Sequence, residues 1–169
     1  MFPLCFMELL LILLILAVEA KIVSSSQSSN YLGKYPASLL LDGKGLDGIF
    51  QGDSCAHTEH GPLQWVSFEL ESPKKLSHVQ ITPRLDHLGN GFRRSRAQNV
   101  VITIGPSKSY DPNEPLCLPM IPQLVLEAGL TDYNCTGTLH EGKYVKIARG
   151  VDGKSDGMIE MCEVKIFTW

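Results

Sequence analysis

The sequence predicts an all-β fold, namely an antiparallel β-sandwich or jelly roll. Short runs of alternating or β-branched residues recur along the chain, and Gly and Pro residues interrupt them. No long apolar pattern follows the 3.6-residue period of a helix, and no internal repeat is evident. Many short strands with turn signals between them are typical of sandwiches.

The predicted strands combine aromatic or β-branched residues with turn signals at their ends. Glu71–Lys75, which contains Pro73, is predicted to be a turn. The stretch punctuated by prolines from Pro112 to Pro122 is predicted to be rich in loops. In chain order the strands are Lys21–Tyr31 (a strand or an ordered arm), Trp65–Leu70, Leu76–Thr82, Val100–Ile104, Lys143–Ala148 and Met158–Trp169.

The first 20 residues are expected to be a signal peptide. Leu9–Val18 is an unbroken apolar run of ten residues, which suits a signal-peptide core and is too short to span a bilayer of about 30 Å. Val18 and Ala20 are small residues at the usual cleavage positions, so we expect cleavage after Ala20. No second long apolar run follows, so no transmembrane segment is expected. Residues 21–169 would then form one secreted, extracellular domain.

The charge balance excludes two classes of function. Without Glu8 and Glu19, the mature chain has 16 acidic against 15 basic residues, a net charge of −1. A nucleic-acid-binding protein would show a basic stripe, and a protein that binds a membrane surface would show a polybasic segment. We therefore expect neither partner.

Cysteine use agrees with secretion. The mature chain has four cysteines, Cys55, Cys117, Cys135 and Cys162. In an oxidising compartment they would form two disulfides, with three possible pairings. The sequence has no C-x-x-C pair, so it gives no support for a zinc ribbon. Asn134-Cys135-Thr136 is an N-glycosylation sequon, which predicts a glycoprotein modified at Asn134.

The order and spacing of several motifs resemble the F-type lectin (fucolectin) module of the discoidin-like superfamily. The resemblance runs from about Ser26 to Trp169 and implies a jelly roll that binds L-fucose. Its motifs are Asp42-Gly43, Gly52–Thr58, Trp65–Leu70 followed by Leu76–Arg84, Arg84-Leu85-Asp86, Arg96 ahead of Asn99–Gly105, and Cys162-Glu163-Val164.

The resemblance implies a sugar site formed by His57, Arg84 and Arg96, with Asp86 holding an arginine in place. His57 precedes Arg84 by 27 residues, as the family pattern requires. Guanidinium and imidazole groups supply the directional donors that sugar hydroxyl and ring oxygens accept. The family's pair of adjacent cysteines after Arg-x-Asp is replaced by His87-Leu88 and a longer loop, so Arg93 or Arg94 is an alternative to Arg96.

The resemblance also implies a structural calcium ion. A loop rich in Gly and Asp can aim several carbonyl oxygens inward, and Ca²⁺ takes six to eight oxygen ligands. The alternative is an ordinary turn held by Asp42. The implied ligands are the side chains of Asp42, Ser54 and Glu163 and the backbone oxygens of Leu39, Lys44 and Cys162.

The implied calcium site favours one of the three disulfide pairings. Cys55 adjoins Ser54 and Cys162 adjoins Glu163, so a Cys55–Cys162 bond would clamp the implied calcium loop to the last strand. Cys117–Cys135 would then close the proline-rich stretch.

Other functions remain as alternatives. No G-x-S-x-G elbow is present, and the spacing of His57 and His60 matches no zinc-protease motif, which argues against an enzyme. The main alternative is a discoidin-like adhesion module that binds protein through its loops and keeps a degenerate sugar pocket. A hydrolase accessory domain expressed alone is a third possibility. A lectin of this kind would bind fucosylated glycans on cell surfaces or glycoproteins, with self-association as one source of multivalency.

Overall fold

The computed structural model describes residues 16–50, 53–85, 99–121, 131–135, 140–153 and 156–169. These residues form strands and two short 3₁₀ helices, Tyr31–Gly33 and Ala37–Leu41. The strands are β1 (Val18–Glu19), β2 (Ile22–Gln27), β3 (Ala56–His57), β4 (Gln64–Pro83), β5 (Val100–Gly105), β6 (Leu116–Ile121), β7 (Thr131–Asn134), β8 (Glu141–Arg149) and β9 (Glu160–Thr168).

The strands form two antiparallel layers that share β4. In the first layer, β9 pairs with β1, β3 and β4, and β4 also pairs with β7. In the second layer, the order is β2-β4-β8-β5-β6. The predicted all-β sandwich is therefore confirmed.

Strand β4 passes from one layer to the other. Its first part pairs with β2 and β8, and its second part, from Leu76 onward, pairs with β9 and β7. The predicted turn at Glu71–Lys75 is wrong, because the chain stays extended through Pro73 and pairing with β8 resumes at Lys74 after a register shift. A proline is tolerated in a strand at such an irregularity.

Two strands in and after the proline-rich stretch were not predicted. Strand β6 lies within the stretch and includes Pro119, and β7 follows it. Strand β6 is an edge strand of its layer, so a proline, which lacks an N–H group, does not interrupt an internal hydrogen-bond ladder there.

The core lies between the two layers. Alternate residues of each strand point into it, as the two-residue period of a strand requires. The buried apolar side chains include Val66, Phe68, Leu70, Val79, Ile81, Ile102, Ile104, Val145, Ile147, Val164 and Ile166.

A buried ion pair fixes the loop after β5. The side chain of Lys146 on β8 is fully buried, and its Nζ donates to Oε2 of Glu114 and, at 2.9 Å, to the carbonyl of Ser107. Burial lowers the pKa of Lys146, although the bond to Glu114 opposes this shift. This loop therefore depends on a matched pair of buried charges.

Both favoured disulfides are present in the structure. Cys55 pairs with Cys162, and Cys117 pairs with Cys135. The first joins the segment before β3 to β9, and the second joins β6 to the residue that follows β7.

The amino-terminal boundary stays a prediction. Val18–Glu19 pairs with Phe167 and Thr168 of β9, on the leader side of the expected cleavage after Ala20. In the described part of the chain, no helix is long and apolar enough to cross a membrane.

Candidate functional site

His57 and Glu160 lie directly opposite each other at one end of the first layer. They are a registered pair of the short β3–β9 ladder, and neighbouring Met161 points into the core. Both side chains are buried, and Nε2 of His57 lies 3.7 Å from Oε2 of Glu160. The N–H of His57 also donates to the carbonyl of Tyr35. The imidazole is thus held beside a carboxylate.

Arg84 reaches the same carboxylate from the end of β4. Its Nη1 donates to Oε1 of Glu160, and the guanidinium carbon lies 3.9 Å from the centre of the Phe50 ring. The N–H of Leu85 donates to the carbonyl of Gly48 at 2.6 Å. Gly48 has a φ of +69° and packs tightly against this segment, so a side chain there would strain the turn. This turn holds Phe50 over Arg84.

Aromatic side chains complete a concave pocket around these polar groups. The ring of Tyr31 lies 4.4 Å from the His57 ring, and Tyr35 lies 5.6 Å from Phe50, centre to centre. The cavity has a volume of about 230 Å³, which is below the range usual for drug-sized ligands and suits a single small ring. Its lining residues are Tyr31, Tyr35, Phe50, His57, His60, Arg84, Met158 and Glu160.

One glutamine lies behind the pocket and ties two of its walls together. Nε2 of Gln27, on β2, lies 3.2 Å from the carbonyl of Tyr35 and 3.4 Å from that of His57. The pocket is therefore supported from the second layer as well.

His60 and Asp156 form a second, more exposed pair at the rim. Nδ1 of His60 lies 2.8 Å from Oδ2 of Asp156. Burial alone would raise the pKa of Asp156, but hydrogen bonds from the Met158 N–H, from His60 and from the Gly61 N–H together lower it. The rim therefore presents an ionised carboxylate.

The structure describes only part of the predicted sugar site. It brings His57 and Arg84 together, whereas Asp86, Arg96 and the alternatives Arg93 and Arg94 lie outside the described residues.

Glu160 was not singled out from the sequence, although it binds Arg84. The available signal was one charged residue inside the apolar run Met158–Cys162, which predicts an acid with a buried partner.

The predicted calcium ligands Asp42 and Glu163 lie at one cavity, on the first layer. Burial and the charge of Asp42 raise the pKa of Glu163 to about 7, against hydrogen bonds from the N–H groups of Gly43 and Gly45 that lower it. Oε2 of Glu163 is buried and has no hydrogen-bond partner among the described residues. A buried carboxylate oxygen without a partner is costly, and a cation would satisfy it.

The other predicted ligands, Leu39, Lys44, Ser54 and Cys162, are not among the residues that line this cavity. A Cβ on Gly45 would lie 2.0 Å from the carbonyl oxygen of Cys162, so the loop packs against that backbone. Oγ of Ser54 donates to the carbonyl of Ile49 at 2.9 Å.

The described residues contain no group of three or more His, Cys, Asp or Glu side chains that could hold a metal. The predicted site is of another kind, with two carboxylates supplemented by hydroxyl and carbonyl oxygens.

Comparison with known proteins relates the chain to lectin modules. No protein-family model matches. The pentraxin fusion protein of Xenopus laevis is 28% identical over 141 residues, which cover 83% of this chain and 31% of that protein. The chain thus spans about a third of the length of this curated relative.

Solved structures give the fold. The serum fucolectin of striped bass (Morone saxatilis) superposes with a TM-score of 0.64 at 24% identity, over 86% of this chain and 45% of that one. A fucose-binding module of Streptococcus pneumoniae, SpX-3, superposes with a TM-score of 0.62 at 23% identity, over 86% and 93%. The fold is that of the F-type lectin sandwich, so the resemblance found in the sequence is confirmed at the level of the fold.

Proposed function

We propose that this protein is a secreted, non-catalytic lectin that binds L-fucose or a fucosylated glycan terminus in the Phe50–His57–Arg84 pocket. The observation that carries the proposal is the arrangement of two nitrogen donors, His57 and Arg84, on the buried carboxylate of Glu160. The structural neighbours, which include a fucolectin and a fucose-binding module, support the choice of sugar.

The pocket's chemistry suits a neutral sugar. Arg84 carries N–H donors in a fixed planar fork, one of which donates to Glu160 from Nη1, and a guanidinium of this geometry can donate to sugar hydroxyl oxygens in fixed directions. The aromatic walls provide an apolar surface for the C–H face of a sugar ring. Arg96, or Arg93 or Arg94 in its place, would add a second guanidinium, and Asp86 would orient one of them.

We propose that a structural calcium ion binds at the Asp42–Glu163 cavity. The unpartnered Oε2 of Glu163 and the neighbouring charge of Asp42 support it. Bound calcium would neutralise the two carboxylates and tie the loop before His57 to β9. The side chain of Ser54 and the backbone oxygens of Leu39, Lys44 and Cys162 would complete the ligand set.

Glycan-array binding of the secreted protein tests the proposed function. The wild type should bind fucosylated glycans, and Arg84→Ala should lose this binding. The control Lys108→Ala, which removes an exposed cation, should bind these glycans normally. Because one sugar site binds weakly, the protein should be presented in multivalent form. Binding to protein ligands alone, unchanged by Arg84→Ala, would support the adhesion module instead. Hydrolysis of a glycoside would contradict the non-catalytic role.

A further inference from the structure

The outer face of the first layer carries a row of three side chains across three strands. Asn134 of β7 and Phe167 of β9 are both registered against His78 of β4. Neighbouring residues on the strands, Val79 and Ile166, point into the core. Because strand side chains alternate between faces, His78 and its two partners point outward.

The imidazole of His78 is held in a defined orientation. Its ring stacks on Phe167, with centres 4.3 Å apart and planes 6° from parallel. Its Nδ1 lies 3.1 Å from Oγ of Ser77, and its Nε2 lies 4.0 Å from Oδ1 of Asp132. Since one ring face covers Phe167 on the β9 side, the opposite face turns toward β7, where Asn134 lies.

Asn134 is exposed and begins the sequon Asn134-Cys135-Thr136. Directly opposite side chains on paired antiparallel strands have Cβ atoms about 4.5–5.5 Å apart. A sugar linked to Asn134 would therefore begin beside the imidazole face.

We propose that Asn134 carries an N-linked glycan whose first N-acetylglucosamine packs on the His78 ring. In the transfer, a bond forms between the Asn134 amide nitrogen and C1 of the sugar, and the bond from C1 to the diphosphate of a lipid-linked oligosaccharide donor breaks. The amide proton leaves with the released diphosphate. The C–H face of the sugar then covers the stacked His78–Phe167 pair, which is apolar on its faces.

This site is separate from the proposed sugar-binding pocket. Phe167 follows Glu160 by seven residues on β9, which is about 23 Å along a strand. The glycan should therefore leave the pocket open, and the inference rests on the proposed secretion but not on sugar binding.

The test uses protein secreted from cells that keep N-glycans in the high-mannose form. Mass spectrometry should show a glycan at Asn134, absent in Asn134→Gln. Trimming with an endoglycosidase that leaves one N-acetylglucosamine should give a melting temperature about 1–4 °C above that of Asn134→Gln.

Two further variants separate packing from the mere presence of a sugar. The rise in melting temperature that the sugar causes should vanish in His78→Thr. It should persist in Lys165→Thr, because Lys165 pairs with Gln80 in the next row of outward-pointing side chains. An unmodified Asn134, or an equal increment in His78→Thr, would overturn the proposal.

Discussion

Glu160 binds Arg84 through one carboxylate oxygen and faces His57 with the other. One buried acid thus fixes both predicted sugar-binding donors. An isolated buried guanidinium would be costly, and the carboxylate of Glu160 offsets the charge of Arg84. This carboxylate therefore preorganises the pocket.

Replacement of Glu160 should weaken sugar binding. Glu160→Gln keeps the shape but removes the charge that orients Arg84, and a hydrogen bond to a charged group is worth about 1.5–3 kcal/mol. We expect the affinity for L-fucose, measured by calorimetry, to fall by about tenfold or more. The exposed control Glu141→Gln should bind normally. Unchanged affinity in Glu160→Gln would show that Arg84 is oriented by other groups.

The aromatic ring of Phe50 should contribute to the affinity for L-fucose. Arg84 lies over this ring at 3.9 Å, and such an interaction contributes about 0.5–2 kcal/mol. Phe50→Ala should therefore reduce affinity for L-fucose by about 2- to 30-fold in the same titration. Phe50→Tyr, which keeps the ring, is the matched control. Equal losses in both variants would contradict the stacking role.

Calcium should raise the melting temperature. A ligand that binds only the folded state stabilises it by about 2.7 kcal/mol at 100 times its Kd, which is several degrees for a domain of this size. When calcium is added to the calcium-depleted wild type, the melting temperature should rise by this amount. The melting temperature of Glu163→Gln should not rise. No rise in the wild type would contradict the calcium proposal.

The calcium effect should also depend on pH. In the metal-free protein the pKa of Glu163 is raised to about 7, above its ordinary value of 4.5. The folded state therefore loses stability as pH rises from about 4.5 to 7, because the buried group resists ionisation. Calcium requires the ionised form, so its stabilising effect should be larger at pH 8 than at pH 6.

The buried pair of Lys146 and Glu114 should be sensitive to loss of one member. Lys146→Met leaves Glu114 buried without its partner, which typically costs about 3–5 kcal/mol. The double variant Lys146→Met with Glu114→Leu should recover most of this loss in denaturant unfolding. If the double variant is as unstable as the single one, the cost lies in packing and not in charge.

The sequence predicted most of the fold because strand patterns are local. The β-branched run Val100–Ile104 and the apolar run Met158–Trp169 contain strands β5 and β9. Pro73 was misleading, because a proline marks a turn in sequence but also fits a strand that changes layers. The edge strand β6 was missed for the same reason.

The sequence pointed to residues of the candidate pocket only through a motif. The resemblance named His57 and Arg84, which both line the pocket, but it did not name Glu160, whose position depends on pairing between β3 and β9. The aromatic walls also depend on chain folding, because Tyr31 begins a 3₁₀ helix, Phe50 lies in a later loop, and both line the same pocket only in the folded chain. The disulfide partners followed from their neighbours in the implied calcium site.

The most direct measurement is a crystal structure of the mature protein with L-fucose. The sugar should lie in the aromatic pocket, with its oxygens within hydrogen-bond distance of the Arg84 guanidinium and the His57 imidazole. A sugar bound elsewhere, or no sugar in this pocket at saturating fucose, would contradict the proposed function.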